Sequence, residues 1–200
     1  MPRKPKHAYA DDPATTGTRE RLLDAALAEF TENGLRASKI ASICRRAKLA
    51  NGTFYLHFRT KDDVYRELIA RAAADLARRL SAAHRAGSDV RELDRVEVAI
   101  IVDFAEEQEE LFQLAWRERG AYAIAHETFA DLLVAQRSGV IADGQAKGTF
   151  RDELVPHIAA VADLGVTGEL VEWWLADRTR CTKAALIDQL TDLRARMFFP

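Results

Sequence analysis

The run Asn51-Gly52-Thr53-Phe54-Tyr55-Leu56-His57-Phe58-Arg59-Thr60-Lys61 gathers residue types suited to gripping a polyanion rather than to covalent chemistry. Asn51 and Thr53 carry donors and acceptors on short side chains. Gly52 between them lets the backbone approach a base edge closely. Tyr55 and His57 follow on the next turn, with polar ring tips placed for phosphate oxygens. Lys61 puts an ammonium at the start of the following helix, where it adds to the positive pole of that helix in holding another phosphate. Within residues 36–61 stand Arg36, Lys39, Arg45, Arg46, Lys48, Arg59 and Lys61, with no Asp or Glu. The whole chain carries −2, but unevenly: Met1 to Arg66 has 13 Lys/Arg against 8 Asp/Glu, or +5, and the remainder 16 against 23, or −7. A cationic end on an acidic body suits a surface that meets phosphates. Charge alone leaves a solvated basic face open as the alternative.

Other chemistries lack their residues. There is no glycine-rich phosphate loop after a strand, no nucleophile elbow, no HExxH and no pair of carboxylates in an apolar setting, so the chain reads as a non-enzyme. Glu106-Glu107 and Glu109-Glu110 read as a solvated acidic face. His7, His84, His126 and His157 show no i, i+3 or i+4 pairing with one another or with cysteine, and Cys44 and Cys181 are not in a C-x-x-C, so neither a metal nor a cofactor is expected. No stretch reaches the roughly 18 to 20 apolar residues of a membrane helix. Basic residues near Met1 have no apolar run beside them, which argues against a secretory signal and for the cytoplasm.

Helices must position the Asn51–Lys61 run, and the periodicity supplies them. Residues 1–17, rich in Pro, Thr, Asp and Lys, read as a mobile arm, with Arg3, Lys4 and Lys6 able to enter a minor groove. Thr18 is a plausible cap for a first helix whose stripe is Leu22, Leu23, Ala26, Leu27 and Phe30, stopped by Asn33-Gly34. Ser38 caps a short second helix with Ile40, Ile43 and Ala47 inward. A turn at Lys48-Leu49-Ala50 leads to a third, Asn51 to His57. Thr60 and the aspartates Asp62 and Asp63 open a fourth in the manner of a capping box. Two short helices across a tight turn, the second polar and small at its start, fit the major groove as a helix-turn-helix does.

Taken together, the stretch Leu23-Asp24-Ala25-Ala26 with Phe30 and Gly34, then Ile43, Ala47 and Leu49, and above all Gly52 to Phe58 followed by Lys61, resembles the DNA-binding domain of the TetR family of repressors. The resemblance runs from Thr18 to Arg71, about a quarter of the chain. It implies that Asn51, Gly52 and Thr53 read bases, that Tyr55, His57 and Lys61 hold phosphates, that Ser38 and Lys39 touch the backbone from the second helix, and that Leu49, Phe54 and Phe58 are core. Three residues depart from the usual pattern. Lys48 stands where glycine is common and either avoids positive φ or bears modest strain. Ala50 replaces a hydroxyl cap, at about 1 kcal/mol of local helix stability. Cys44 replaces alanine: it is either a thiol whose pKa is lowered by Arg45 and Arg46 or a small core residue.

Beyond Gly87-Ser88 the pattern stays helical, without alternating strands. Leu93, Val96, Ile100, Ile101 and Phe104 mark one stripe; further helices follow over 111–117, 122–146, 152–176 and 182–197. The expected architecture is all-α with about nine helices: an arm at 1–17, a three-helix DNA-binding domain at 18–65 and a helical ligand-binding and dimerisation domain at 66–200. The resemblance implies an apolar cavity in that last part, for which Phe104, Phe112, Trp116, Tyr122, His126, Phe129 and Trp173 are candidate walls. Gln113, Glu118, His126 and Gln136 are candidate polar members. Gly165 and Gly168, three apart on one face, each cost about 1 kcal/mol of helix propensity against alanine and so suggest close packing. With Trp174, Leu186 and Leu190 they could form a symmetric dimer interface, or they pack within one chain. The function implied is a ligand-responsive, homodimeric repressor of a pseudo-palindromic double-stranded DNA operator, released by a small apolar or aromatic effector. An activator, and a helical protein-interaction module without DNA binding, are the alternatives.

Overall fold

We describe a computed structural model, which gives the backbone of residues 13–85, 90–118 and 123–200 and the side chains of 17–84, 92–118 and 131–200. The described residues form nine α-helices and no strand: α1 (Pro13–Ala37), α2 (Ile40–Ala47), α3 (Asn51–His57), α4 (Lys61–Arg85), α5 (Val90–Glu107), α6 (Glu109–Glu118), α7 (Ala123–Ala146), α8 (Pro156–Ala176) and α9 (Lys183–Phe198). They fall into two compact units that divide between Leu68 and Ile69. Residues 1–12 of the arm lie outside the described residues. Helix α1 starts at Pro13, five residues ahead of Thr18, so the end of the stretch read as an arm is helical.

In the first unit the apolar stripe of α1 behaves as its period requires: Leu22, Leu23, Ala26 and Phe30 are buried, with Ile43, Cys44 and Ala47 from α2, Phe54 from α3, and Phe58. Phe30 meets Tyr65 edge-on at 6.4 Å, and Phe54 lies 5.8 Å from Phe58. Gly34 takes φ 74°, ψ 155°, a left-handed break in α1 where the sequence places its stop. The capping box at the start of α4 is reciprocal: Thr60 N–H donates to Asp63 Oδ2 and Asp63 N–H to Thr60 Oγ1, each at 3.1 Å. Ser38 does not cap α2. Lys39 occupies that position without a side-chain bond, and the Ser38 hydroxyl turns inward to Glu29 O at 3.1 Å and Gly34 O at 2.6 Å.

In the second unit α7 lies along α8 and α5 along α9. One apolar cluster joins Val98, Val102 and Ala105 of α5 to Val171, Trp174 and Leu175 of α8 and Leu186 and Leu190 of α9. Another joins Val134 and Ile141 of α7 to Phe150, Ala159, Ala160, Phe198 and Phe199. The buried face of α5 differs from the expected stripe. Val96 is exposed, whereas Asp94 and Glu97 are buried, because arginines from α7 and α9 meet them inside. Pro156 opens α8 at its first turn, where its missing N–H costs nothing. Thr182 caps α9 by accepting from Ala185 N–H at 3.2 Å.

Candidate nucleic-acid interface and interior cavity

The turn between α2 and α3 fixes how α3 is presented. Lys48 adopts φ 55°, ψ 45°, so of the two expectations the strained one holds. Its N–H returns to Arg45 O at 3.2 Å, and Leu49 N–H to Cys44 O at 2.9 Å, closing α2. Helix α3 starts at Ala50 without a side-chain cap, as the missing hydroxyl requires. Burying Phe54 and Phe58 turns the intervening face outward: Asn51 and Gly52 are exposed, Thr53 is half-buried, Tyr55 is 61% and Leu56 82% exposed. Tyr55 packs edge-on against Phe54 at 5.5 Å, which leaves the phenol tip free to reach outward. A Cβ at Gly52 would meet nothing within 4 Å, so its openness, not crowding in the free chain, is what the glycine preserves.

Several of the residues expected on this surface are spoken for. Ser38 is buried and its hydroxyl bonded, so it is not offered to a phosphate. Lys61 Nζ donates to three backbone carbonyls, Leu35 at 2.6 Å, Arg36 at 2.7 Å and Ser38 at 3.0 Å. An ammonium has three donors, so this one is a clamp on the α1–α2 turn and not a free phosphate grip. His57 is half-buried, and burial, helped by the Arg19 charge, pushes its pKa down. It therefore offers a neutral ring rather than a cation at neutral pH. Arg46 pairs with Glu29 at 2.9 Å and with Glu32, leaving the basic window less free than its composition suggests. Lys39, Arg45 and Lys48 are exposed. Cys44 is fully buried and its thiol is pushed up by that burial, against a backbone hydrogen bond from Phe54, so it is a core residue and not an activated thiol. Leu56 was not anticipated; its signal was an apolar residue out of register with the buried Phe54 and Phe58.

In the second unit a cavity of about 360 Å³ is walled by Leu76, Phe104, Leu111, Phe112, Trp116 and Leu164, among others. Of the expected aromatic walls, Phe104, Phe112 and Trp116 line it, and Phe112 and Trp116 stack at 6.0 Å. Trp173 does not: it sits on the outer face of α8, 42% exposed, with the Arg180 guanidinium 4.9 Å from its ring. Tyr122 lies outside the described residues, as do the side chains of His126 and Phe129. Among the expected polar members Gln136 lines the cavity, while Gln113 and Glu118 stand elsewhere.

One end of this cavity carries charges that the sequence reading missed. Arg137 reaches Glu97 at 3.0 Å, Asp94 at 3.3 Å and Asp163 at 2.8 Å. Arg194, 3% exposed, reaches Glu97 at 2.8 Å, Asp94 at 3.0 Å and Asp163 at 3.3 Å. His84 stands 3.0 Å from Glu97. Burial alone would raise Glu97, but the His84 hydrogen bond and the two guanidinium groups overcome it and pull the carboxyl down to about 2. Asp94 goes the other way, burial outweighing the same arginines. The His84 pKa is raised, first by its bond to Glu97. The signal was available: Arg194 shares a face with Leu186 and Leu190, and Asp163 with Ala160 and Thr167, positions where helical period demands burial.

The expected dimer residues are mostly interior. Trp174, Leu186 and Leu190 fill their own chain's cluster. Gly168 is there for Trp116, since a Cβ would come within 2.5 Å of its ring. Gly165 is exposed with open space above it and, with Val161, borders the cavity, on the side of α8 that also presents Ile158, Val166 and Trp173.

Residues 22–68 match the family model of bacterial regulatory proteins, tetR family. The HTH-type transcriptional repressor KstR2 of Rhodococcus jostii (strain RHA1) is 28% identical over 162 residues, covering 75% of this chain and 76% of that protein. Among solved structures, a TetR-family regulator from Syntrophomonas wolfei superposes with a TM-score of 0.81 at 22% identity, over 91% of this chain and 95% of that one. FadR from Bacillus subtilis, in complex with stearoyl-CoA, superposes with a TM-score of 0.77 at 20% identity, over 88% and 96%. These two structures speak for the fold.

Proposed function

We propose that the chain is a TetR-family transcriptional regulator, a DNA-binding protein and not an enzyme, and that it is a repressor that reads its operator with α3 and leaves it when an apolar effector fills the interior cavity. The observation that carries the first half is the outward face of α3, held out by buried Phe54 and Phe58 in a region with exposed Lys39, Arg45 and Lys48. Asn51, Gly52 and Thr53 read base edges; Tyr55 and the neutral His57 contact phosphates; Lys39 adds charge; Leu56 offers an apolar contact suited to a thymine methyl group. Ser38 and Lys61 support the turn behind α3.

The cavity supports the second half. Its volume lies within the usual range for small-molecule sites, and its walls are mostly apolar. The relative KstR2 is named a repressor, which favours repression, and FadR was solved with stearoyl-CoA, whose long acyl chain favours an effector with an apolar body. An effector acts by binding one conformation better than another, and a switch needs a differential of a few kcal/mol. Helix α4 runs from Lys61 in the first unit to Arg85 in the second and is the covalent route for that coupling. The exposed face of α8, from Ile158 to Trp173, suits a second copy of the chain, and a two-fold dimer reads a pseudo-palindrome with half-sites about 34–36 Å apart. We assign the arm, reading domain and effector domain to 1–17, 18–65 and 66–200, with α1 reaching back to Pro13 and the compact units dividing three residues later, between Leu68 and Ile69. No described helix is long and apolar enough to cross a membrane, which fits the cytoplasmic location expected of a DNA-reading protein.

A shift assay on the gene's own upstream DNA at several salt concentrations tests this. Binding whose logarithm falls steeply with log salt, with a two- or four-protomer footprint, is the expected result. Absence of any retarded species at low salt removes the proposal.

A further inference from the structure

Each guanidinium in the buried cluster faces carboxylates, yet the pairing is incomplete. Arg194 Nη2 is occupied by Glu97 and Asp94, while Nη1 has no hydrogen-bond acceptor among the described residues. Asp163 Oδ1 is likewise buried with no hydrogen bond among the described residues, its ion-pair partner Arg194 Nε lying outside hydrogen-bond geometry. Both residues line the cavity, and Nε of the same guanidinium stands 3.3 Å from that Oδ1, so the guanidinium that carries the open Nη1 lies beside the carboxylate that carries the open Oδ1. Buried polar atoms left open cost about 1–3 kcal/mol each and call for a partner.

We propose that the effector site selects a neutral hydroxyl group on an apolar body, the hydroxyl oxygen accepting from Arg194 Nη1 and its proton donated to Asp163 Oδ1. This deepens the cavity reading above and rests on it. A hydroxyl is the smallest neutral group that does both jobs with one atom. The charge count decides against an anion. Arg137 and Arg194 face Asp94, Glu97 and Asp163, so the cluster is already at −1 with His84 neutral and balanced with it protonated. A carboxylate head adds a buried negative charge with no new cation to meet it. An ether or ketone satisfies Nη1 and leaves Oδ1 open. Phe112 and Trp116, stacked in the wall, suit a flat ring as the apolar body.

The test is calorimetric titration of the intact chain at pH 7 with four probes of one shape: 2-naphthol, 2-methoxynaphthalene, naphthalene and 2-naphthoate. The expected order places 2-naphthol at least tenfold tighter than naphthalene, 2-methoxynaphthalene between them, and 2-naphthoate weakest. Arg194→Lys keeps the charge and removes Nη1; in a folded variant the preference for naphthol over naphthalene falls to within threefold while naphthalene affinity holds. A wild-type chain that binds 2-naphthoate as tightly as 2-naphthol, that fails to distinguish naphthol from naphthalene, or that binds none of the four overturns the inference. So does a folded Arg194→Lys chain that keeps the full preference. If the variant does not fold, the wild-type order still decides. The shift assay on the same preparation reports separately on DNA binding, so failure of the hydroxyl assignment is distinguishable from failure of the regulator reading.

Discussion

The ammonium of Lys61 donates to the carbonyl oxygen of Leu35 at 2.6 Å, and this bond, with those to Arg36 and Ser38, makes Lys61 a brace for the segment after the Gly34 break. Residues there are the terminal carbonyl-bearing turn of α1, whose acceptors would otherwise look to solvent. Replacing Lys61 with Met removes three charge-assisted bonds, two of them partly buried. The expected loss is about 2 kcal/mol of stability by urea unfolding, since bonds to charged groups contribute roughly 1.5–3 kcal/mol and solvent screens part of it. The slope of log affinity against log salt on operator DNA is expected to stay within about 0.3 of the parent. A slope lowered by about 0.9, the signature of one lost phosphate contact, would return Lys61 to the interface.

Tyr55 supplies the complementary case. Its ring packs on Phe54 while its hydroxyl faces outward, so Tyr55→Phe keeps the packing and removes only the polar tip. Operator affinity should fall about tenfold, the order of one hydrogen bond to a charged acceptor, with the melting temperature unchanged. Tyr55→Ala should weaken binding further without altering helical content. Parent-like affinity in the phenylalanine variant would remove Tyr55 from the contacts.

These two residues show where the sequence was legible. Helix order, the α3 boundaries and the outward Asn51 and Tyr55 follow from period and turn chemistry, which are local. The bonds of Lys61 and Ser38 were not legible because most of their partners lie in α1, more than 20 residues away for Lys61, and a lysine's three donors reveal nothing of their targets until the chain folds. Composition likewise overstated the free charge of the basic window, because it says nothing of Glu29 and Glu32 meeting Arg46. The same holds for the glycines of α8. Their spacing announced close packing, but only the folded chain shows Trp116 over Gly168 and empty space over Gly165.

That pair yields a third expectation. Gly168→Ala places a Cβ 2.5 Å from the Trp116 ring, which must shift into the cavity it lines. The variant should lose about 1–3 kcal/mol to overpacking and bind naphthalene at least fivefold more weakly in the same titration. Gly165→Ala meets no atom of its own chain and gains up to about 1 kcal/mol of helix propensity. If a second copy covers that face, the Gly165 variant instead shifts the sedimentation profile toward monomer, as Ile158→Asp, outside the cavity wall, should do on the same face. Dimers unchanged in both would place the interface elsewhere.

The buried cluster sets a pH window for the effector unit. Glu97 titrates near 2 when folded and near its ordinary 4.5 when unfolded, so its contribution is complete above about 4.5 and drains as pH falls toward 2. His84 is raised above its ordinary 6.5 by Glu97, and Arg137 only partly opposes this; its contribution is complete below 6.5 and drains as pH rises through the raised value. Asp94, raised by burial, offsets part of the Glu97 effect at the acid end. Stability should therefore peak between about pH 4.5 and 6.5, which urea midpoints at pH 3.5, 5.5 and 8 will show. His84→Gln cannot take up the proton, so the decline between pH 5.5 and 8 should vanish, leaving at most the small opposite rise from His57, whose pKa is lowered, while the acid decline remains. An alkaline decline that survives in this variant would show that the Glu97–His84 pair is not its source, and an acid limb lost along with it would show that Glu97 owes its low pKa to the imidazole more than to Arg137 and Arg194.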